Sequence, residues 1–592
     1  MKKLLAALLV LILVALAWVF LSGRKIEAPF ADAFPPGAIG YAAVKGGGAL
    51  AREAGNSNFW KALCRIQSVR GLEDGAGGAK AGAAAFAALS GMLGDEAAVA
   101  FYGEKSAFGA SALGAVRSRE ARGSIRALVL SRLDAKPAGT HEGMELYAFG
   151  LPGACGFRGM YAASADTGFS AISTRNPEEL VKAAIDLHAG KGKASPLLGD
   201  RNFAPGIGRK PGGKGRLLAI AWMDAEAIEA AAKAQAAVAG RIGKGSPLAA
   251  QVLAGSAANL PVVSGGGYLY RDRGFTGMVR TRFDRARLTE GQRSVHLGIP
   301  GPLGALALAP RGTIAVSAWR LGDITAAWKS FTADSNPAGR LVAGWVGEYG
   351  IDFRKDVAPW VGDEISVQLS AVQTGGLFPL PRAELIVTVK DRRAAERMVM
   401  RVMNEAAGTA GAAPGQQPWA FLRPELTRNE HRGVMVTSLS YPLPGVSPSF
   451  AFIGERLVMG LDRSSVQEII DTAKGERDPL LADPVFAEMR SGIPSRLNHL
   501  TWIDGEGALR AGEGVVNWVL AVKRLARSVS DEPAPEAEAR FEADLPRLIA
   551  AARVFRAAME ATACGRDTVD GYFALRVRDL ENPGLGNPLP RR

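Results

Sequence analysis

Hydrophobic and polar positions divide the chain into two regimes. Leu4 to Leu21 is one uncharged apolar run, preceded by Lys2 and Lys3 and followed by Arg24 and Lys25. As a helix, a run of that length reaches across a hydrocarbon core of about 30 Å, and the flanking lysines favour an N-terminus held in the cytoplasm. The expectation is a single-pass bacterial inner-membrane protein with its body in the periplasm or extracytoplasmic space. The alternative is a cleaved signal peptide, for which Ala15-Leu16-Ala17 supplies a small-x-small site. Both readings export the body. Beyond the run, period-two segments dominate and helical periods are few, which predicts an antiparallel α+β fold. Strands are expected at Ala38 to Val44, Ala97 to Tyr102, Arg126 to Ser131 and Met144 to Phe149, with helices at Asn58 to Val69 and Pro177 to His188 and a hairpin of Val262 to Arg271 with Gly274 to Phe283. A second series follows: strands at Thr313 to Trp319, Glu364 to Leu369, Ala383 to Val389 and Val434 to Tyr441, then helices at Leu321 to Phe331, Ser465 to Lys474, Gly505 to Arg527 and Pro535 to Ala561, and a closing strand at Tyr572 to Val577.

The second series echoes the first. Pro196-Leu-Leu-Gly-Asp-Arg-Asn-Phe203 aligns with Pro479-Leu-Leu-Ala-Asp-Pro-Val-Phe486, Trp222-Met223-Asp224 with Trp502-Ile503-Asp504, Gly94-Asp95-Glu96 with Gly362-Asp363-Glu364, and His141-Glu142-Gly143 with His431-Arg432-Gly433. The pairs keep their order, as an internal duplication requires. The expected architecture is therefore an anchor or signal segment over residues 1–25, a first repeat over 26–284, a linker over 285–310 and a second repeat over 311–592. Each repeat is expected to carry its own mainly antiparallel sheet with flanking helices, after an N-terminal transmembrane helix.

The stretch Ile351-Asp-Phe-Arg-Lys-Asp-Val-Ala-Pro-Trp-Val-Gly-Asp-Glu-Ile-Ser-Val-Gln-Leu369 resembles the signature of a bacterial family called domain of unknown function 3352. The opening Phe34-Pro-Pro-Gly-Ala-Ile-Gly-Tyr41 and the N-terminal membrane segment are similar too. The resemblance spans Phe34 to Asp504 and is strongest in the second copy, since Leu89 to Gly94 lacks the Pro-Trp pair. It implies an architecture and a membrane-anchored location, and brings no reaction, cofactor or catalytic residue with it.

Composition narrows the classes. With 48% hydrophobic and 22% charged residues, the chain is not wholly disordered, collagenous or coiled coil, and 592 residues exceed one ordinary core. Cys64, Cys155 and Cys564 permit one disulfide at most, with Cys64–Cys155 bridging and free buried thiols both open. Their spacing suits no metal site. Gly208-Arg-Lys-Pro-Gly-Gly213-Lys214 fits a phosphate-loop spacing, but Gly215 stands where a hydroxyl is needed and a strand follows, so a basic loop is the better reading. Asp95/Glu96 and Asp363/Glu364 read as turns opening strands, and Trp222/Asp224 and Trp502/Asp504 as packing positions with a polar partner. The net charge of +13 draws attention to Arg209, Lys210 and Lys214 on the basic loop and to Arg280, Arg282, Arg576 and Arg578 on strands. These are candidates for contact with anionic lipid or an acidic envelope partner, against the plainer reading of a solvated face. No aromatic residues interleave them, which disfavours nucleic acid. No cofactor, metal or catalytic constellation is expected. The functional expectation is a non-catalytic binding or scaffolding protein of the cell envelope. The alternative is a carrier or sensor of an apolar ligand held against the Ala-rich helices Ala225 to Ala239 and Leu248 to Ala258, and third an enzyme of unrecognised class.

Overall fold

A computed structural model describes residues 30–46, 95–103, 106, 110–117, 135–150, 158–164, 167–191, 197, 203, 216–225, 262–271, 273–288, 293, 298–332, 337–348, 350–373, 380–409, 424–441, 447–530 and 536–578. These residues contain 20 strands. The first ten are β1 (Ala38–Lys45), β2 (Glu96–Tyr102), β3 (Ser111–Arg117), β4 (Lys136–His141), β5 (Met144–Gly150), β6 (Arg158–Ala163), β7 (Thr167–Ser173), β8 (Arg216–Asp224), β9 (Val262–Arg271) and β10 (Gly274–Phe283). The rest are β11 (Ala315–Arg320), β12 (Val361–Gln373), β13 (Leu380–Val389), β14 (Glu425–His431), β15 (Val434–Ser440), β16 (Ser449–Ile453), β17 (Arg456–Gly460), β18 (His499–Asp504), β19 (Phe555–Cys564) and β20 (Thr568–Val577). Helices are α1 (Pro177–His188), α2 (Ile324–Phe331), α3 (Pro337–Glu348), α4 (Arg392–Thr409), α5 (Arg463–Ala473), α6 (Pro484–Arg490), α7 (Gly505–Ser530) and α8 (Glu536–Ala552).

All the strands join one antiparallel sheet. From edge to edge its order is β4-β5-β6-β7-β3-β2-β1-β8-β9-β10-β20-β19-β18-β11-β12-β13-β17-β16-β15-β14. Read inward from either edge, the two ten-strand halves follow the same order. This corrects the expected fold of two sheets, one per repeat. β10 and β20 pair without interruption from Gly274↔Arg576 to Arg282↔Thr568. Each would otherwise be an edge strand with a row of unpaired N–H and C=O groups, and pairing them fuses the halves into one continuous sheet. The expected transmembrane helix is not found either. Among the described residues no helix is long and apolar enough to cross a membrane, and Leu4 to Leu21 lies outside them.

Local sequence explains the elements that position the site. α1 starts where Asn176 caps the Glu178 N–H at 3.1 Å and Pro177 takes the first turn, the position where a missing N–H costs nothing. Asp462 caps α5 through the Ser465 N–H at 2.8 Å. The hairpins β4–β5 and β14–β15 turn through Glu142-Gly143 and Arg432-Gly433, all four residues at positive φ, which is the two-residue turn whose twist matches antiparallel strands. Gly460 ends β17 close under α5: a Cβ there would lie 2.5 Å from Ser465 Oγ.

Several expected elements shift. Ser111–Arg117 was not expected as a strand, yet β3 sits between β2 and β7, while Arg126 to Ser131 lies outside the described residues. So do Asn58 to Val69, Leu248 to Ala258 and, beyond Ala225, the helix expected to Ala239. The last helix stops at Ala552, and Phe555–Cys564 is a strand paired on both sides. The stretch expected as a linker packs from Gly298 onward: Leu303, Ala305, Leu306, Leu308 and Ala309 are buried, and Gly301 and Pro310 bridge to Leu497 and Pro479. It forms a strap over the second half, with a 3-10 turn at Gly304–Ala307.

Candidate functional site

Three of the basic residues singled out from the sequence form ion pairs within the fold. Arg280 donates twice to Asp570, Nε to Oδ1 and Nη2 to Oδ2, each at 2.6 Å. These hydrogen bonds raise its pKa further. Arg576 is buried and meets Glu488 at 3.1 Å; Arg578, more exposed, meets Glu506 at 2.8 Å. Arg282 lies on β10 opposite Thr568. Arg209, Lys210 and Lys214 lie outside the described residues. On the strands, three of the four expected contact cations are therefore neutralised by carboxylates of the same chain.

The landmarks shared by the two halves are fasteners. His141 Nε2 lies 2.7 Å from Asp186 of α1, and His431 Nε2 lies 2.8 Å from Asp471 of α5. Each pair ties a hairpin to the helix packed beside it. Lys191 adds an ion pair to Glu142 at the first hairpin, and Arg432 one to Asp471 at the second. Asp471 is held below the usual carboxylate range; partial desolvation opposes this, and hydrogen bonds from His431 and Arg432 outweigh it. His431→Ala is expected to weaken the β14–β15 hairpin by about 1 kcal/mol, seen as faster amide exchange across Glu425–Ser440 with unchanged exchange in β19 and β20. Phe203–Trp222 and Phe486–Trp502 repeat an edge-to-face contact at 5.4 and 5.2 Å between centroids. The polar partner expected for Trp502 is absent among the described residues, since its Nε1 is buried and unpaired. Asp504 instead caps α7, accepting from the Glu506 and Gly507 N–H groups.

One feature distinguishes the halves. In the second, Trp502, Val316, Gln368, Glu384 and Gly460 form a row across β18, β11, β12, β13 and β17. The corresponding row in the first is Trp222, Tyr41, Ala100, Leu113 and Ala171, all of it apolar core. One row over, Ser366 takes the place of Ala98. Glu364, Ser366 and Gln368 thus project from one face of β12 into a buried environment. Glu364 Oε1 accepts the Ala305 N–H of the strap at 2.7 Å, and Glu384 Oε1 accepts from Ser370 at 2.7 Å. Ser366 Oγ, both amide atoms of Gln368, Glu384 Oε2 and Asp462 Oδ2 are buried without a hydrogen-bond partner. Arg382 reaches from the same strand to Asp462 at 3.5 Å and to Glu468 at 2.9 Å. Burial raises Glu384 to about 7; Ser370 and Arg382 oppose the rise, and Asp462 and Glu468 reinforce it. No sequence signal separated this row from an ordinary solvated strand face: alternating polar residues read as exposed.

A second unshared cluster lies on β11 and β18. Ser317 Oγ is 2.6 Å from Thr501 Oγ1 and 3.1 Å from His499 Nε2, which is also 2.8 Å from Thr501, and Trp319 stacks on the His499 ring at 5.5 Å. Burial lowers His499 to about 4, so its imidazole is neutral through the physiological range. Both hydroxyls share one ring nitrogen, and the arrangement is a cross-strand hydrogen-bond ladder. Cys564 is a buried free thiol raised by burial to about 11, which leaves it a poor nucleophile. Cys64 and Cys155 lie outside the described residues, as does the expected phosphate-loop segment.

The site is thus a buried polar row under a strap, in the half of an antiparallel sheet whose twin carries Ala98, Ala100 and Leu113 where this half has Ser366, Gln368 and Glu384, while Glu364 is matched by Glu96. That half also carries the family similarity. Residues 338–504 match the model of a family described as protein of unknown function (DUF3352), a span that holds Glu364, Gln368, Glu384, Arg382 and Asp462 together. No curated protein and no solved structure matches the chain.

Proposed function

We propose that the chain is a non-catalytic binding or scaffolding protein of the bacterial cell envelope, exported by its apolar Leu4 to Leu21 segment. The observation that carries the binding role is the display of large apolar side chains on helices: Leu341 and Val342 on α3, and Val519, Val522 and Leu525 on α7, are exposed. Large apolar side chains left exposed on helices support a surface that meets another body. The devices common to both halves, His–Asp fasteners and Phe–Trp contacts, support the same reading, because they rigidify a platform. The extracytoplasmic placement is supported by the lysines before the apolar run. Protease added to intact spheroplasts is expected to degrade the body while a cytoplasmic marker survives; a body that resists until the membrane is lysed overturns the placement.

A further inference from the structure

We propose that the buried row of β12 and β13 is a binding site for internal water, which bridges Ser366, Gln368 and Glu384 under the strap. Bonds within the chain close the row at both ends. At one end Glu364 accepts the Ala305 N–H of the strap at 2.7 Å, and at the other Ser370 donates to Glu384 Oε1 at 2.7 Å. The middle is not closed in this way. Ser366 is 0% exposed, Gln368 1% and Glu384 2%, yet Ser366 Oγ, Gln368 Nε2 and Oε1 and Glu384 Oε2 have no hydrogen-bond partner. Gln368 and Glu384 stand directly opposite each other in the β12–β13 register, where side chains on one face start about 5 Å apart. The pair does not close on itself, because Glu384 turns Oε1 to Ser370 and leaves Oε2 without a donor.

The chemistry of these atoms selects the ligand. A buried polar group without a partner is costly, and here three such side chains are neighbours. Gln368 Nε2 only donates, Gln368 Oε1 only accepts, Ser366 Oγ does either, and Glu384 Oε2 accepts when ionised and can donate when protonated. A cation would serve the oxygens and turn a positive charge on the amide N–H groups; an anion would serve the N–H groups beside a carboxylate. Water donates twice and accepts twice, and an internal water needs two to four polar partners. One water that accepts from Gln368 Nε2 and donates to Glu384 Oε2, and a second that donates to Gln368 Oε1 beside Ser366 Oγ, serve the whole set. The walls are apolar. On β11 Val316 and Ala318 lie opposite Gln368 and Ser366, and on β13 Ile386 lies opposite Ser366. Strap residues Ala305, Leu306, Leu308 and Ala309 share buried clusters with those three. Water held there exchanges with solvent when the strap lifts in a local opening. The first half is the control, since Ala98, Ala100 and Leu113 at the same positions belong to its apolar core and offer no side-chain donor or acceptor. The inference stands apart from the envelope reading, because it concerns the core of the sheet and not location.

Oxygen-17 magnetic relaxation dispersion on the purified full chain tests this, because it counts internal waters by their long residence. The triple variant Ser366→Ala/Gln368→Leu/Glu384→Leu gives the row the apolar character of the first half. It is expected to lose about two long-lived waters while keeping its circular dichroism. Should that variant fail to fold, Gln368→Met, which keeps an unbranched side chain of similar length, is expected to lose at least one. Two results overturn the proposal. The first is an unchanged water count in a folded variant, which would mean that Gln368 and Glu384 bond each other directly. The second is a thermal midpoint that rises by several degrees when potassium or calcium chloride is added to the chelator-treated chain, with no such rise in Gln368→Met, which would give the row to a cation.

Discussion

Trp502→Ala is expected to lower stability by about 3 to 5 kcal/mol, while Trp502→Phe changes it little. The indole is buried against Phe486 and within the cluster of Val316, Leu500 and Met559, so truncation to alanine leaves a cavity that the close-packed sheet face and α6 fill only partly. Phenylalanine keeps most of the ring volume. It also deletes an N–H that is buried without a partner, and removing an unsatisfied donor returns part of what the smaller ring loses. The same pair of outcomes is expected at Trp222, which packs on Phe203 and Tyr41 with an equally unpaired Nε1. Chemical denaturation of the four variants checks this. A Trp502→Phe variant as unstable as Trp502→Ala would show that Nε1 has a bonding role and that the row of cross-strand neighbours beside it is built differently.

Much of the scaffold was legible in the sequence because its signals were local. The hairpin Val262–Arg271 with Gly274–Phe283 and the helix Pro177–His188 have the expected bounds: the first is framed by a charged, Gly-bearing turn, the second by an Asn cap and an N-terminal proline. Alanine erased the signal elsewhere. Phe555–Cys564 reads as a continuation of an Ala-rich helix, and only its neighbours β18 and β20, which pair with it along its length, make it a strand. β3 is built of Ser, Ala, Leu, Gly and Val with little alternation, and its place between β2 and β7 is likewise set by partners distant in sequence. Closure of the whole into one sheet depends on β10 meeting β20, a pairing across about half the chain that no local pattern announces. The candidate site was the least legible part. Arg280, Arg576 and Arg578 looked like a basic surface because their carboxylate partners Asp570, Glu488 and Glu506 are remote in sequence or on other elements. Glu364 reads as part of a turn opening a strand but lies inside β12, and the period-two polarity of Ser366 and Gln368 ordinarily faces water, whereas here the strap Gly298–Pro310 and α5 cover that face.

Stability is expected to fall as pH rises from about 4.5 through about 7, with Glu384 as one titratable source of that slope, and Glu384→Gln is expected to remove its share. In the unfolded chain this carboxyl titrates near the ordinary glutamate value of about 4.3. In the folded protein it is raised to about 7, chiefly by burial, with Asp462 and Glu468 adding to the rise against Ser370 and Arg382. Below the unfolded value both states hold the proton and the group is neutral toward folding. Between the two values the unfolded chain releases its proton while the folded chain keeps it, so folding is progressively disfavoured until both are ionised. The full difference is on the order of 3 kcal/mol. Glutamine preserves the shape and the acceptor for Ser370, and its amide N–H groups enter a site where Asp462 Oδ2 and Gln368 Oε1 are buried without a hydrogen bond. The variant should therefore match the unsubstituted protein near pH 4.5 and exceed it at pH 8. Urea midpoints measured at both pH values for both proteins decide the matter, because the difference between the two slopes isolates Glu384 from Glu560, which burial also raises. Identical slopes would mean that Glu384 is already ionised in the folded protein, and that Arg382 neutralises it inside the row more effectively than it neutralises Asp462 and Glu468.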